Sequence, residues 1–263
     1  MTIVVRTSPS VALRACRGLT RSAPECYGLG RKCYWIDGVT QYKKSMIASG
    51  GPSAPAMDPR AAFFDAHAPT WDQTGPDPGV TLRRLRELED RLGLRPGLDL
   101  LEVGCGTGQI TGWLAGSVKP GGVVAADFSH GMLAQARARG LDAEFLWMDI
   151  CREEPVQRQF DVVLCFHSFP HFRDQPAALR QMARSLKCGG RLVVLHLAGS
   201  AQLNAFHHQV GGPVGGDQLL QASQWPEWVR PSGLRVREAV DREDLFLVQA
   251  ELAPSDCGAL SSA

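Results

Sequence analysis

What the chain lacks narrows what it can be. In its 263 residues no apolar run approaches the ~18–20 residues needed to span a bilayer, so no membrane span is expected. Charge nearly cancels, at +1, and no basic groove with interleaved aromatics is visible, which argues against nucleic acid as a partner. The eight cysteines form no Cys-x-x-Cys pair and no zinc-type spacing. That excludes a sequence-evident metal site and suits free thiols in a reducing compartment, read as the cytoplasm. The dinucleotide fingerprint Gly-x-Gly-x-x-Gly is missing too, because position 109 of the glycine-rich turn is Gln109.

What is present centres on residues 98–114, LDLLEVGCGTGQITGWL. An apolar run (Leu98, Leu100, Leu101, Val103) suits a strand buried on both faces. Gly104, Gly106 and Gly108 follow at alternate positions, then a helical pattern with Ile110, Trp113 and Leu114. Glycine lets the chain turn sharply and lets a ligand lie against bare backbone. A helix starting there would add unpaired N–H groups and a positive dipole end. Glu102 sits just before the glycines, where a carboxylate at a strand tip would attract a cation.

Further strand patterns follow. Residues 123–126 end in Asp127, which lies 21 positions beyond Gly106, close to the ~20-residue offset at which a second-strand carboxylate reaches ribose hydroxyls. Residues 143–147 lead into Met148-Asp149-Ile150, residues 160–166 run on into the aromatic and His-rich turn His167 to Phe172, and residues 191–197 carry His196. Strand patterns at 234–240 and 244–251, joined by Asp241-Arg242-Glu243, read as a hairpin. Helices are expected from Pro59 with Asp58 as N-cap, over 78–92, near Ser129, over 176–186 and over 219–229.

The acidic residue before a tight Gly-x-Gly-x-Gly resembles motif I of the class I S-adenosylmethionine-dependent methyltransferases. The segment FFDAHAPTWD (63–72) is similar to the opening segment of small-molecule members, including the ubiquinone and menaquinone C-methyltransferases, where it packs over the cofactor as a lid. Asp127 and Asp149, with Glu102, complete a series of acids at three successive strand ends. The resemblance implies an α/β, Rossmann-like doubly wound sheet of seven strands, mostly parallel with a C-terminal antiparallel hairpin. It implies S-adenosyl-L-methionine held by Glu102, Gly104, Cys105, Gly106, Gly108, Asp127, Phe128, Met132, Met148, Asp149, Ile150 and Phe166. It also implies methyl transfer to a small organic acceptor, with His167 as first and His171 as second candidate for a base. A non-catalytic cofactor-binding or scaffold protein and, less favoured, an NAD-dependent oxidoreductase are the alternatives.

Residues 57–253 are expected to form the methyltransferase domain: a helical lid (57–96), a cofactor core (97–198), then a substrate-side insert with the closing hairpin (199–253). His196, His207, His208 and Asp217 could gather on a metal, though their spacing fits no known pattern. The glycines of 211–216 could cradle an anion or act as a hinge. Residues 1–56 carry a charge of +6 against −5 for the remainder. They read as a disordered or non-native extension before a natural start at Met57, with an organelle-targeting peptide as the alternative. Residues 254–263 read as a tail.

Overall fold

A computed structural model of the chain describes residues 58–75, 77–152 and 158–252. The expectations for the 1–56 extension and the 254–263 tail lie outside the described residues.

Seven strands form one sheet in the order β3-β2-β1-β4-β5-β7-β6. They are β1 (Leu100–Val103), β2 (Val123–Asp127), β3 (Glu144–Trp147), β4 (Phe160–Phe166), β5 (Leu186–His196), β6 (Leu234–Arg242) and β7 (Leu245–Leu252). Pairings from β3 through β5 are parallel, while β7 runs antiparallel to both β5 and β6. All four residues of β1 are buried, as a central parallel strand covered on both faces requires. One apolar cluster (Val163, Val194, Trp225 and Phe246 among others) packs on one face of the sheet, and a second (Leu85, Leu114, Leu133, Leu195) on the other. From β1 the chain winds outward one way to β2 and β3 and then returns to β4 on the other side, so the carboxyl ends of β1 and β4 flank the topological switch point where such sheets hold ligands.

The N-terminal helices begin as their residues suggest. In α1 (Pro59–His67) the Asp58 side chain accepts from Arg60 N at 2.9 Å, and Pro59 takes the first helical position. A 3₁₀ turn (Ala68–Thr70) and α2 (Trp71–Thr74) follow. The stripe at 78–92 is interrupted at Leu88, giving α3 (Pro78–Glu87) and α4 (Glu89–Leu92). Then come α5 (Thr111–Val118) and α6 (His130–Ala138), the second capped by Ser129, whose Oγ accepts from Met132 N at 3.1 Å.

Several expectations are corrected. The helix after the glycines starts only at Thr111, so a run of turns separates its N-terminus from Gly106. Strand β5 begins at Leu186, passing through the expected Lys187–Gly190 turn, with a register irregularity against β4 that absorbs the extra residues. The hairpin turn is Glu243-Asp244. The helix read over 219–229 shrinks to a 3₁₀ turn (Ala222–Gln224) and α9 (Trp225–Val229), because Pro226 is tolerated only in a first helical turn. Conversely α8 (Ser200–Val210) was not expected; its first turn is closed by Gln202, whose Oε1 accepts from Gly199 N at 3.0 Å. The helix near 176–186 is α7 (Gln175–Arg184), with Asp174 as N-cap.

Candidate active site

The turn after β1 is shaped by two kinds of glycine. Gly104 lies at φ +74°, and a Cβ there would stand 2.3 Å from Ser168 Cβ, so the two chains touch where only hydrogen fits. Ser168 in turn donates to Val103 O at 2.7 Å. Gly106, at φ +55°, faces open space: a Cβ would meet nothing within 4 Å. That stretch of backbone is bare. Gly108 sits against Ala136 of α6, a packing position.

Asp127, the last residue of β2, lies beneath this turn. Its Oδ2 accepts from Gly106 N at 2.8 Å and its Oδ1 from Ser129 N at 2.9 Å. Burial raises its pKa to about 6; these backbone bonds pull the other way and the Asp65 charge adds to the rise. Glu102 is deeper still. Its Oε2 accepts from Thr111 Oγ1 at 2.6 Å, and burial, with a contribution from Asp127, lifts its pKa to about 8. Glu102 is thus buried beneath the turn, and burial favours its neutral form. Asp149, just past β3, pairs with Arg173 at 2.5 Å and accepts from Cys151 N at 3.1 Å.

A narrow cleft opens at these strand ends, lined among others by Gly104, Asp127, Phe128, Met148, Asp149, Ile150 and His171. Several predicted residues lie outside its lining. Glu102 and Cys105 are buried below the turn, burial also raising the Cys105 thiol pKa, and Met132 belongs to an apolar cluster with Phe64, Ala68 and Val214. Phe166 packs on His167, with ring centroids 4.2 Å apart.

The segment 63–72 lies across the switch point and is pinned by two carboxylates. Asp65 Oδ1 accepts from Ser129 Oγ at 2.5 Å and from Gly131 N at 2.7 Å. Asp72 accepts from Thr107 Oγ1 at 2.6 Å and Gln109 Nε2 at 2.8 Å, and pairs with Arg139. Between them Phe64 meets Phe128, Trp71 and His171 edge-on, at centroid distances of 5.9, 5.7 and 5.1 Å. The sequence singled out the aromatic residues of this segment; the hydrogen bonds of Asp65 and Asp72 were not drawn from it, although both stand inside the quoted stretch.

The histidines divide. His167 holds a left-handed backbone, φ +53°, uncommon for a residue with a side chain. Its Nε2 accepts from Leu197 N at 3.3 Å, and burial, with the nearby His171, lowers its pKa to about 4. His171 presents Nδ1 to Asp217 Oδ2 at 2.8 Å. His207 bonds Asp217 O through Nδ1 at 3.1 Å, His208 is exposed, and the buried His196 has neither ring nitrogen paired. Among the described residues no group of three or more His, Cys, Asp or Glu is arranged to hold a metal. Likewise no described helix is long and apolar enough to cross a membrane.

Comparison with known proteins bears on the family and the fold. Residues 100–190 match the model of a methyltransferase domain family. The demethylmenaquinone methyltransferase of Renibacterium salmoninarum is 34% identical over 158 residues, covering 59% of this chain and 62% of that one. Phosphoethanolamine N-methyltransferase 3 of Arabidopsis thaliana is 29% identical over 170 residues, covering 63% of this chain and 34% of that one. The chain thus spans only part of the length of these relatives. Among solved structures, the DhpI complex with SAH superposes with a TM-score of 0.59 at 22% identity, covering 77% of this chain and 100% of that one, a likeness of fold.

Proposed function

We infer that this chain, whose sheet topology and matched segment are those of the class I S-adenosylmethionine-dependent methyltransferases, transfers a methyl group from S-adenosylmethionine to a small organic acceptor. The observation that carries the reading is the bare backbone at Gly106 above Asp127, set at the point where the strand order reverses. The residues fit the cofactor. Asp127 would accept from ribose hydroxyls, Asp149 from the adenine amino group, and Phe128, Met148 and Ile150 would flank the ring. When bound, S-adenosylmethionine supplies a sulfonium methyl that is already electrophilic.

The protein's own task is then to place an acceptor, exclude water and take a proton. Phe63, Phe64 and Trp71 of the lid exclude water above the cleft, and Asp65 and Asp72 hold that lid down. Proton acceptance we assign to His171, ahead of His167. The Nε2 of His167 is spent on Leu197 N, and its lowered pKa makes it a weak base. His171 lines the cleft, and with Nδ1 committed to Asp217 its Nε2 is left to receive the proton. An acceptor with an ionisable hydroxyl or acidic carbon, such as a phenol or quinol, suits a neutral imidazole beside an aromatic lid.

The NAD-dependent alternative is disfavoured by Gln109 and by the antiparallel β6–β7 pair. The test is S-adenosylhomocysteine release over a panel of phenols and demethylated quinols, with wild type and His171→Gln. Turnover on a panel member that falls at least ~100-fold in His171→Gln, with cofactor affinity unchanged, is expected. Undiminished turnover in the variant would remove His171 from the reaction.

A further inference from the structure

Asp217 has no role in the reading above, yet its carboxylate bridges two charged or titratable side chains at the cleft. Its side chain is fully buried. One oxygen, Oδ1, accepts from Arg60 through Nε at 2.9 Å and Nη2 at 2.5 Å. The other, Oδ2, meets His171 Nδ1 at 2.8 Å. Its own carbonyl accepts from His207 on α8 at 3.1 Å. Arg60 belongs to α1, the lid helix, whereas His171 belongs to the turn after β4. A single buried carboxylate therefore joins the lid to the imidazole.

We propose that Asp217 is a positioning residue that holds His171 with its proton on Nδ1, and that Arg60 tunes this pair by neutralising Asp217 only when the lid is down. A buried carboxylate without a partner is costly. With Arg60 on Oδ1 the carboxylate is compensated, and His171 can hydrogen-bond to Oδ2 while remaining neutral and ready to accept a proton at Nε2. When α1 lifts, Arg60 leaves with it. The uncompensated Asp217 then favours a protonated His171, which cannot act as a base. Closing the lid would thus switch the base on, so that proton removal occurs only when water is excluded. The inference rests on the functional reading for the fate of the proton, but the electrostatic coupling does not.

Other ionisable groups also surround His171, and two of them touch the pair directly: His207 bonds the Asp217 carbonyl, and Asp58 pairs with Arg60 at 3.7 Å. The surrounding groups include His207 on α8, with its ring 4.9 Å away, His167 on the same turn, and His196 at the end of β5. Across the cleft stand Asp58, Asp127, Asp149, Cys151 and Arg173. Because Arg60→Gln removes a positive charge and Asp217→Asn a negative one, shifts of opposite sign at His171 are the signature of the Arg60–Asp217–His171 relay.

Histidine-selective ¹⁵N NMR titration of the full chain tests this without any acceptor or cofactor, the His171 signal being identified by its loss in His171→Gln. In the wild type, Nδ1 should carry the proton. Asp217→Asn should abolish that tautomer preference and move the His171 protonation midpoint down by about one pH unit or more, and Asp217→Glu should restore the preference. Arg60→Gln should move the midpoint up by about one unit. If Asp217→Asn does not fold, Arg60→Gln decides alone. An unmoved midpoint in Arg60→Gln, shifts of the same sign in both variants, or an Nε2-protonated wild type would each overturn the proposal. Failure of the protein to bind S-adenosylmethionine would instead defeat the functional reading and leave this titration intact.

Discussion

Replacing Gly104 and Gly106 by alanine separates the two uses of glycine in the turn. Both lie in the left-handed region, at φ +74° and +55°. Alanine there costs ~1–2 kcal/mol at either position. At Gly104 the new methyl would also stand 2.3 Å from Ser168 Cβ and 2.9 Å from its Oγ. Overpacking of that kind adds ~1–3 kcal/mol, giving about 2–5 kcal/mol in all, a large part of the ~5–15 kcal/mol available to a domain. At Gly106 nothing lies within 4 Å, so only the backbone cost remains. There the methyl occupies the space assigned to the cofactor, and affinity should fall ~10–100-fold, the equivalent of ~1–3 kcal/mol. Urea unfolding followed by tryptophan fluorescence measures the first quantity and titration calorimetry the second. Gly104→Ala should lower the midpoint by ~1–2 M, and Gly106→Ala by clearly less. A Gly104→Ala protein as stable as wild type, or a Gly106→Ala protein that binds S-adenosylmethionine normally, would refute the reasoning.

Two more outcomes follow from the same geometry. Glu102, lifted from 4.5 to about 8, favours the fold in its protonated form; that contribution is full below pH ~4.5 and is lost as pH rises through 8. Glu102→Gln, which retains an acceptor for Thr111, should therefore gain on wild type by several kcal/mol at pH 9, the gain shrinking toward pH 5. Unfolding curves at pH 5, 7 and 9 check this, and a pH-independent difference would contradict it. Asp72→Ala removes the partner of Thr107, Gln109 and Arg139 at a half-exposed site, so after allowing for solvent screening we expect ~1–2 kcal/mol of lid closure to be lost. Cofactor dissociation, followed by stopped-flow fluorescence of Trp71, should quicken ~5–30-fold. An unchanged rate would mean that the lid is not held there.

Local signals in the sequence transferred well. The buried run of β1, the Asp58-Pro59 and Ser129 caps, and acids at the ends of β2 and β3 are matters of spacing and propensity, and the structure has them where the pattern put them. What could not be read depends on distant partners. His171 and Asp217 are 46 residues apart and Arg60 and Asp217 157 apart, with no periodicity linking them. Nor does the sequence reveal how deeply Glu102 is buried, and it is that burial that raises its pKa, against the opposing hydrogen bond from Thr111. α8 is not legible because its buried positions are Ser200 and His207 while Phe206 and Val210 are exposed, so no apolar stripe marks the helix. The choice between His167 and His171 likewise turned on which ring nitrogen each has left.

The central claim is that bare backbone at Gly106 and a carboxylate at Asp127 hold an adenosine-bearing sulfonium compound. Titration calorimetry of the full chain with S-adenosylmethionine and, separately, with NAD⁺ tests it most directly, with Asp127→Ala as control. The account predicts one site for S-adenosylmethionine, weakened at least ~10-fold in Asp127→Ala, and no heat with NAD⁺. Heat with NAD⁺ and none with S-adenosylmethionine, or an Asp127→Ala protein that binds as tightly as wild type, would contradict it.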